Sequence, residues 1–386
     1  PGEHEYVHAT LNSTHPWPSR QDPFSSYRAS FEVRTYRLCH RVLMFHHFPE
    51  ELGVQDYLVR STEFTYRQSP IVSFITAVTQ SGYTRQPDGR YLRKSLPPLE
   101  FEYSQAVVHD EIKEIPAESL ENLPYGLDGS RYQWVDLDGE GASGILTEQG
   151  NAWFYKPNWG NGKFGPVETV LLKPSLAALG SGRQQLLDLA GDGQLDVVQF
   201  GDLAPGFFER TPDQKWESFK TFAYLPELDW KQPNLRFVDL NGDGLADILV
   251  TEDEVVTWYP SLAEQGFGPA ERVFKTHDEE TGPRLVLADG AQSIYLADMS
   301  GDGLTDLVRI RNGEVCYWPN LGYGKFGSKV TMDDSPWFDL PDLFDQRRIR
   351  VADIDGSGNT DIIYLHGEGV RLYFNRSGNG WSEPRT

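Results

Sequence analysis

The sequence predicts an all-β protein, a β-propeller that is most simply six-bladed, with four-stranded antiparallel blades. Two observations carry this prediction. A nine-residue acidic loop punctuated by glycine occurs five times, and the first residues of successive loops are separated by 52, 51, 59 and 55 positions. Short apolar runs typical of strands surround the loops, without sustained helical periodicity. A repeat near fifty residues with several strands per unit is typical of propeller blades.

The clearest repeat is centred on the acidic loop 239–247, which reads Asp-Leu-Asn-Gly-Asp-Gly-Leu-Ala-Asp. An apolar strand enters the loop at 235–238 and a second leaves it at 247–250. An aromatic strand follows at 256–259, and Gly-Phe-Gly-Pro at 266–269 marks the start of a fourth strand. One such unit cannot bury both of its faces, so neighbouring units are expected to stack. The other four loops begin at Asp136, Asp188, Asp298 and Asp353.

The acidic loops have the composition of calcium sites. Oxygen-bearing side chains at positions one, three, five and nine converge if the chain turns tightly, and glycine at positions four and six permits that turn. Hard oxygen ligands in a flexible cage suit Ca²⁺ better than Zn²⁺ or Mg²⁺. The alternative is an Asx-turn hairpin whose carboxylates accept backbone N–H groups.

The third, fourth and fifth loops fill all four positions, and there we predict structural Ca²⁺. The first loop has Gly144 where the closing aspartate should be, and the second has Ala190 at position three, so these two sites are incomplete. The predicted ligands are Asp239, Asn241, Asp243, Asp247, Asp298, Ser300, Asp302, Asp306, Asp353, Asp355, Ser357 and Asp361.

The chain divides into three predicted regions. Residues 1–30 are polar and proline-containing, and we expect an extended lead-in. Residues 31–125 are predicted to form an atypical first blade, without an acidic loop, plus a connector. Residues 126–386 are predicted to form five acidic-loop blades. Two longer segments, 275–292 and 333–346, interrupt these repeats, and such insertions usually lie on one face of a ring that is often the binding face.

Composition excludes several functions. The chain has 57 acidic against 35 basic residues and a formal net charge of −22, which argues against nucleic-acid binding because nothing would neutralise phosphates. No apolar stretch approaches the roughly 18 residues of a membrane span. The chain starts at Pro1 without a methionine, and we interpret it as a fragment of a longer protein.

A catalytic constellation is not evident from the motifs. There is no Gly-x-Ser-x-Gly elbow, no His-Glu-x-x-His and no phosphate-binding loop, so we predict a protein that is not an enzyme. Two alternatives stay open: a hydrolase that uses central carboxylates, and a carbohydrate-binding propeller that uses repeated aromatic side chains. Those side chains more often fill the core between sheets. They are Trp153, Tyr155, Trp159, Trp258, Tyr259, Tyr317, Trp318 and Tyr373.

Two parts of the chain resemble known families. The acidic loops with Phe-Gly-Pro resemble the FG-GAP/VCBS repeats of integrin α chains and many bacterial surface proteins. The N-terminal third carries more specific segments, at 22–28 (Asp-Pro-Phe-Ser-Ser-Tyr-Arg), 36–53, 81–89 and 96–101. With these segments it resembles the B subunit of bacterial insecticidal toxin complexes, which is related to the N-terminal region of Salmonella SpvB-type proteins.

The resemblance implies a role in protein translocation. In that family this region is a propeller, and B joins the C subunit in a hollow shell around a toxic enzyme. The propeller docks onto the pentameric A translocation channel and gates the exit of the unfolded toxin. We therefore expect a secreted, non-enzymatic docking and gating module with the A and C subunits as partners. The resemblance assigns no individual docking residue.

Overall fold

The computed structural model describes residues 5–10, 16–104, 106–108, 111, 113–123, 132–171, 173–174, 184–201, 204–291 and 293–386. These residues form antiparallel β-sheets. The α-helices among them are two of four residues each, α1 (Pro49–Leu52) and α2 (Ala117–Leu120). The all-β prediction is confirmed.

The N-terminal region forms a wide sheet and a separate hairpin. The sheet has six strands in the order β1-β7-β6-β5-β4, with β8 paired to β6, and the hairpin is β2-β3. The strands are β1 (Glu5–Val7), β2 (Phe24–Ser26), β3 (Val33–Thr35), β4 (Arg41–His46), β5 (Tyr57–Gln68), β6 (Ser73–Arg85), β7 (Tyr91–Ser95) and β8 (Leu99–Glu100).

This region differs from the four-stranded blade and extended lead-in that the sequence predicted. Strands β5 and β6 are 12 and 13 residues long. They continue through polar residues at which the apolar pattern of the sequence predicted that the strands would end. Hydrogen bonds between strands satisfy those polar groups, as between the hydroxyls of Ser61 and Tyr83 (2.8 Å) and between Arg93 and Glu63 (2.8 Å). Because buried polar groups that are paired cost little, the strands continue past the apolar runs.

Five acidic-loop blades follow, called blades one to five in chain order. Blades one to four are four-stranded with strands in sequential order, and blade five has three strands plus one bridge between Leu372 and Arg385. The strands are β9 (Tyr132–Val135), β10 (Gly144–Gln149), β11 (Ala152–Lys156) and β12 (Glu168–Val170); β13 (Gln184–Leu187), β14 (Asp196–Gln199), β15 (Gly206–Phe208) and β16 (Lys220–Thr221); β17 (Leu235–Val238), β18 (Asp247–Thr251), β19 (Val255–Tyr259) and β20 (Glu271–Phe274); β21 (Ile294–Ala297), β22 (Asp306–Arg311), β23 (Glu314–Trp318) and β24 (Val330–Thr331); and β25 (Ile349–Ala352), β26 (Asp361–His366) and β27 (Gly369–Tyr373).

The hydrophobic core lies between successive blades. Trp153 of blade one packs in one cluster with Val197 of blade two. The same holds for blades two and three, three and four, and four and five, each pair sharing one buried cluster. Blades in chain order are therefore neighbours in space, as expected of stacked units that each bury their faces against the next. Five blades are described, and the sixth blade of the ring stays a prediction.

The repeated aromatic side chains are core residues with one exception. Trp153, Tyr155, Trp258, Tyr259, Tyr317, Trp318 and Tyr373 are all buried. Trp159, in the turn after β11, is 65% exposed. The core interpretation is confirmed for seven of the eight side chains, and the carbohydrate-binding alternative loses those seven as ligand platforms.

Candidate functional site: the row of acidic loops

The first aspartate of each acidic loop organises the turn through backbone hydrogen bonds. In blade four, Asp298 Oδ1 accepts the N–H of Gly301 (2.8 Å) and Oδ2 accepts that of Gly303 (2.7 Å). Both glycines have positive φ, 74° and 83°, which side chains disfavour. The equivalent carboxylates of the other four loops accept backbone N–H groups in the same manner.

The closing aspartate ties the loop to the turn after the third strand. Asp306 Oδ2 accepts the N–H of Met299 (2.9 Å), and its Oδ1 accepts that of Asn320 (2.8 Å). Burial raises the pKa of Asp306 well above its usual range, while these two hydrogen bonds oppose the shift. Burial likewise raises the pKa of Asp361 to about 7 and that of Asp247 to about 6.

In blade one a tyrosine hydroxyl replaces the missing closing carboxylate. Gly144 stands at the closing position, and the hydroxyl of Tyr155 accepts the N–H of Leu137 (3.4 Å) and donates to Val135 O (3.2 Å). A Cβ at Gly144 would lie 2.5 Å from that hydroxyl oxygen, so Tyr155 occupies the space a side chain would need. The incomplete first loop is therefore held by hydrogen bonds of a tyrosine hydroxyl, whereas a closing carboxylate holds the other loops.

In blades two, four and five, the residue fourteen positions after the loop's last residue connects neighbouring blades. Asn320 Nδ2 donates to Leu240 O in the loop of blade three (3.1 Å). Asn375 Nδ2 donates to Met299 O in the loop of blade four (2.9 Å). In blade two the position holds Arg210, whose Nε donates to Asp138 in the loop of blade one (2.8 Å). The turn after the third strand thus also joins blades two, four and five, each to the blade before it.

The loops lie side by side in one row. The first glycine of each of the first four loops faces the next loop, and a Cβ on Gly242 would lie 2.9 Å from Leu304. A Cβ on Gly301 would lie 2.7 Å from Asn359 Oδ1, and Gly139 and Gly191 abut Gly193 and Leu245 in the same way. Glycine is therefore required here by close approach between blades as well as by its φ.

The β2-β3 hairpin covers part of this row. The backbone N–H of Tyr27 donates to Asp302 Oδ2, and the Arg28 guanidinium donates to Asp302 O. Asn379 Nδ2, in the last turn of blade five, donates to Pro23 O (2.6 Å), and its Oδ1 accepts from Arg34. The segment around the hairpin is thus bound to blades four and five. Sequence reasoning missed this contact because its partners are more than 270 residues apart.

Three of the four predicted calcium ligands of the fifth loop lie close together. Asp353, Asp355 and Asp361 each place a carboxylate oxygen within 4.8 Å of the others'. Among the described residues, no such three-carboxylate group occurs in the third or fourth loop. In the third, Asn241 Nδ2 donates to Asp243 (3.0 Å), while Asp239 and Asp247 accept backbone N–H groups. In the fourth loop, the Ser300 hydroxyl donates to Asp298 (3.4 Å), and Asp302 accepts the N–H of Tyr27. In the fifth loop, Ser357 Oγ accepts the N–H of Asn359 (3.4 Å).

The opposite end of the blades carries an apolar insertion. Because consecutive strands are antiparallel, the acidic loops lie at one end of the sheets and the β22–β23 turn lies at the other. Gly313 in that turn donates its N–H to Pro336 O (2.8 Å), which places this part of the insertion 333–346 at the second end. Within it Trp337, Leu340 and Leu343 are 69%, 67% and 58% exposed. Phe338 is fully buried, and its N–H donates to Asn312 Oδ1 (2.8 Å). The insertion therefore exposes apolar side chains to solvent, while the buried Phe338 fixes its backbone to blade four.

Comparison with solved structures places this fold among toxin components. A chain of the Photorhabdus luminescens Tc holotoxin pore superimposes with a TM-score of 0.79 and 32% identity over 97% of this chain and 17% of that one. The chain shares the fold of a Tc toxin component. TcdB2-TccC3 without its hypervariable C-terminal region gives a TM-score of 0.58 and 31% identity over 100% of this chain and 18% of that one. This chain thus spans less than a fifth of either Tc chain.

Sequence comparison agrees with both parts of the resemblance. Residues 1–48 match the family model described as Salmonella virulence plasmid 65kDa B protein. The FG-GAP-like repeat matches 188–250 and 239–309. The mono(ADP-ribosyl)transferase SpvB of Salmonella typhimurium is 47% identical over 76 residues, 18% of this chain and 13% of the relative. The activity in that name belongs to the relative, of which this chain covers a small part.

Membrane insertion by a helix finds no support in the described residues. None of the helices there is long and apolar enough to cross a membrane.

Proposed function

We propose that this chain is the propeller of a toxin-complex B subunit, which docks onto the pentameric A translocation channel and gates passage of the unfolded toxin. One observation carries the proposal: the likeness to a chain of a Tc holotoxin pore over 97% of this chain. The C subunit is the proposed second partner, since TcdB2-TccC3 complexes share the fold. In this role the chain acts outside the bacterium, as a non-enzymatic part of a secreted complex.

The apolar insertion is the proposed docking surface. Tryptophan is among the residues that dominate binding energy at interfaces, and a rigid base lowers the conformational entropy that is lost on binding. The exposed leucines add apolar area beside it. The hydrogen bond from Phe338 N–H to Asn312 holds that base in place. The acidic-loop end, in contrast, is partly covered by the β2-β3 hairpin.

We expect saturable binding of this chain to immobilised pentameric A subunit in biolayer interferometry. The double variant Trp337→Ala/Leu340→Ala is expected to bind at least tenfold more weakly, which corresponds to about 1.4 kcal/mol. Trp159→Ala is the matched control, since Trp159 is as exposed but lies at the acidic-loop end of blade one. Absence of binding by the folded parent chain would reject the docking role. Loss of binding in the Trp159 variant alone would move the interface to the other end.

We also propose a structural Ca²⁺ in the loop of blade five. The carboxylates of Asp353, Asp355 and Asp361 fit such an ion, since three hard oxygen ligands approach one another there. An ion at this place would offset the mutual repulsion of three acids, of which Asp361 is buried, Asp355 half-buried and Asp353 exposed. Blades three and four are expected to contribute less, because Asp302 is already bound by Tyr27 and Asn241 points its amide at Asp243.

Excess EGTA is expected to lower the melting temperature relative to millimolar Ca²⁺, by mass action on the folded state. Asp355→Ala should abolish this difference. Asn241→Ala, at the same position in the third loop, should leave most of it. The measurement is differential scanning fluorimetry in both buffers. Equal melting temperatures in the parent chain, or an unchanged calcium effect in Asp355→Ala, would reject the site in blade five.

A further inference from the structure

Strand β4 is an uncovered outer strand of the six-stranded sheet. It pairs with β5 on one side, and no described strand pairs with it on the other. Val42, Leu43 and Met44 are 53%, 39% and 42% exposed. Since side chains alternate along a strand, Val42 and Met44 lie on one face and Leu43 on the other. Both faces of an apolar outer strand are therefore exposed, an arrangement that proteins usually avoid unless a partner covers it.

The backbone of β4 offers hydrogen bonds at defined positions. His40 O accepts the N–H of Phe64 (2.9 Å), so this facing pair is a hydrogen-bonded one. Bonded and non-bonded pairs alternate in antiparallel sheets. Val42 and Met44 therefore bond to β5, and the N–H and C=O groups of Arg41 and Leu43 point outward. The register is regular from Arg41 to Met44, where a bulge ends it.

The segment 33–49, which contains β4, is basic, although the chain as a whole is acidic. From residue 33 to residue 49 the sequence has no acid, while it contains three arginines and three histidines, in a chain of net charge −22. Arg41 pairs with Glu63 (3.1 Å). The described contact of the Arg37 guanidinium is with the Ser19 hydroxyl (3.0 Å), and no described carboxylate pairs with it. Two copies joined through β4 would bring like charges together, so an acidic occupant is favoured.

We propose that β4 binds an extended acidic segment of a partner polypeptide as an added antiparallel strand. The outward backbone groups of Arg41 and Leu43 supply the hydrogen bonds, and the exposed apolar side chains supply contact on both faces. The basic segment 33–49, which includes Arg37, supplies charge complementarity. This surface lies on the six-stranded sheet and does not depend on docking through the blades.

The test is fluorescence anisotropy with a labelled ten-residue peptide of alternating valine and glutamate. We expect saturable binding at least tenfold tighter than that of the same peptide with lysine in place of glutamate. Leu43→Pro removes an outward N–H without removing a hydrogen bond to β5, and it should weaken binding at least tenfold. Leu43→Thr keeps the N–H and should bind within threefold of the parent.

Arg37→Glu tests the charge separately from the backbone and should weaken binding of the glutamate peptide. Melting temperatures of the variants serve as the folding control. Equal binding of the glutamate and lysine peptides, or undiminished binding by Leu43→Pro, would overturn the proposal. Concentration-dependent dimerisation in sedimentation velocity, lost in Leu43→Pro, would overturn it by assigning the surface to a second copy.

Discussion

Arg210→Met is expected to lower the free energy of unfolding by about 3 kcal/mol, through loss of the bridge between blades one and two. Arg210 is 3% exposed, and its guanidinium donates to Asp138 and lies 5.0 Å from the ring of Trp216. Methionine fills much of the space but leaves Asp138 without its cation. The measurement is urea unfolding followed by tryptophan fluorescence.

Two further variants distinguish the buried bridge from a general charge effect. Lys215→Met removes an exposed cation that pairs with Asp213, and the melting temperature should hardly change, since solvent screens such pairs. Asp138→Asn combined with Arg210→Met should recover part of the loss, because the unpaired charge is gone. Parent-like stability of Arg210→Met would show that the bridge does not hold these blades together.

Asn375→Ala is expected to cost about 3 kcal/mol, because Asn375 is fully buried and its amide satisfies several buried groups. Its Nδ2 donates to Met299 O (2.9 Å) and Thr360 O (3.1 Å), and its Oδ1 accepts the N–H of Gly378 (2.8 Å). Alanine leaves these groups unpaired in the core. Hydrogen exchange should rise at 353–361 and 375–381 before the rest of the chain unfolds.

Ser261→Ala is the control matched by position. Ser261 occupies the same place in blade three, and its backbone N–H, which the substitution keeps, donates to Asp247 (2.7 Å). We expect a loss below about 1 kcal/mol. Comparable losses in the two variants, or uniform protection from exchange in Asn375→Ala, would contradict a specific connection between blades four and five.

The blade pattern was readable from the sequence because its causes are local. The glycines of the acidic loops, the apolar strands beside them and the aromatic third strands repeat at a nearly constant spacing. The one misjudged aromatic, Trp159, lies in a turn past the end of β11. The N-terminal sheet was predicted less well, since its long strands pass through polar residues that become acceptable only once Ser61 meets Tyr83 and Glu63 meets Arg93.

A signal for the connecting residues was also present. In every blade, the residue fourteen positions after the loop's last residue also lies six before an aromatic residue with which it forms a bridge. These pairs are Asn158 with Phe164, Arg210 with Trp216, Ser261 with Phe267, Asn320 with Phe326, and Asn375 with Trp381. The spacing marks the position, but in blades two, four and five the hydrogen-bond partner lies in the preceding blade, which a single repeat does not contain.

The sequence by itself determined that the chain is a stack of β units, because turn chemistry and apolar alternation act over a few residues. Tertiary structure alone decided which acidic loop gathers three carboxylates. It placed the Tyr155 hydroxyl where Gly144 lacks a carboxylate, and it laid the β2-β3 hairpin on Asp302. The physical reason is that carboxylates at equivalent positions of the repeat have different neighbouring groups in the folded chain. Those neighbouring groups determine the hydrogen bonds and the ionisation of each carboxylate.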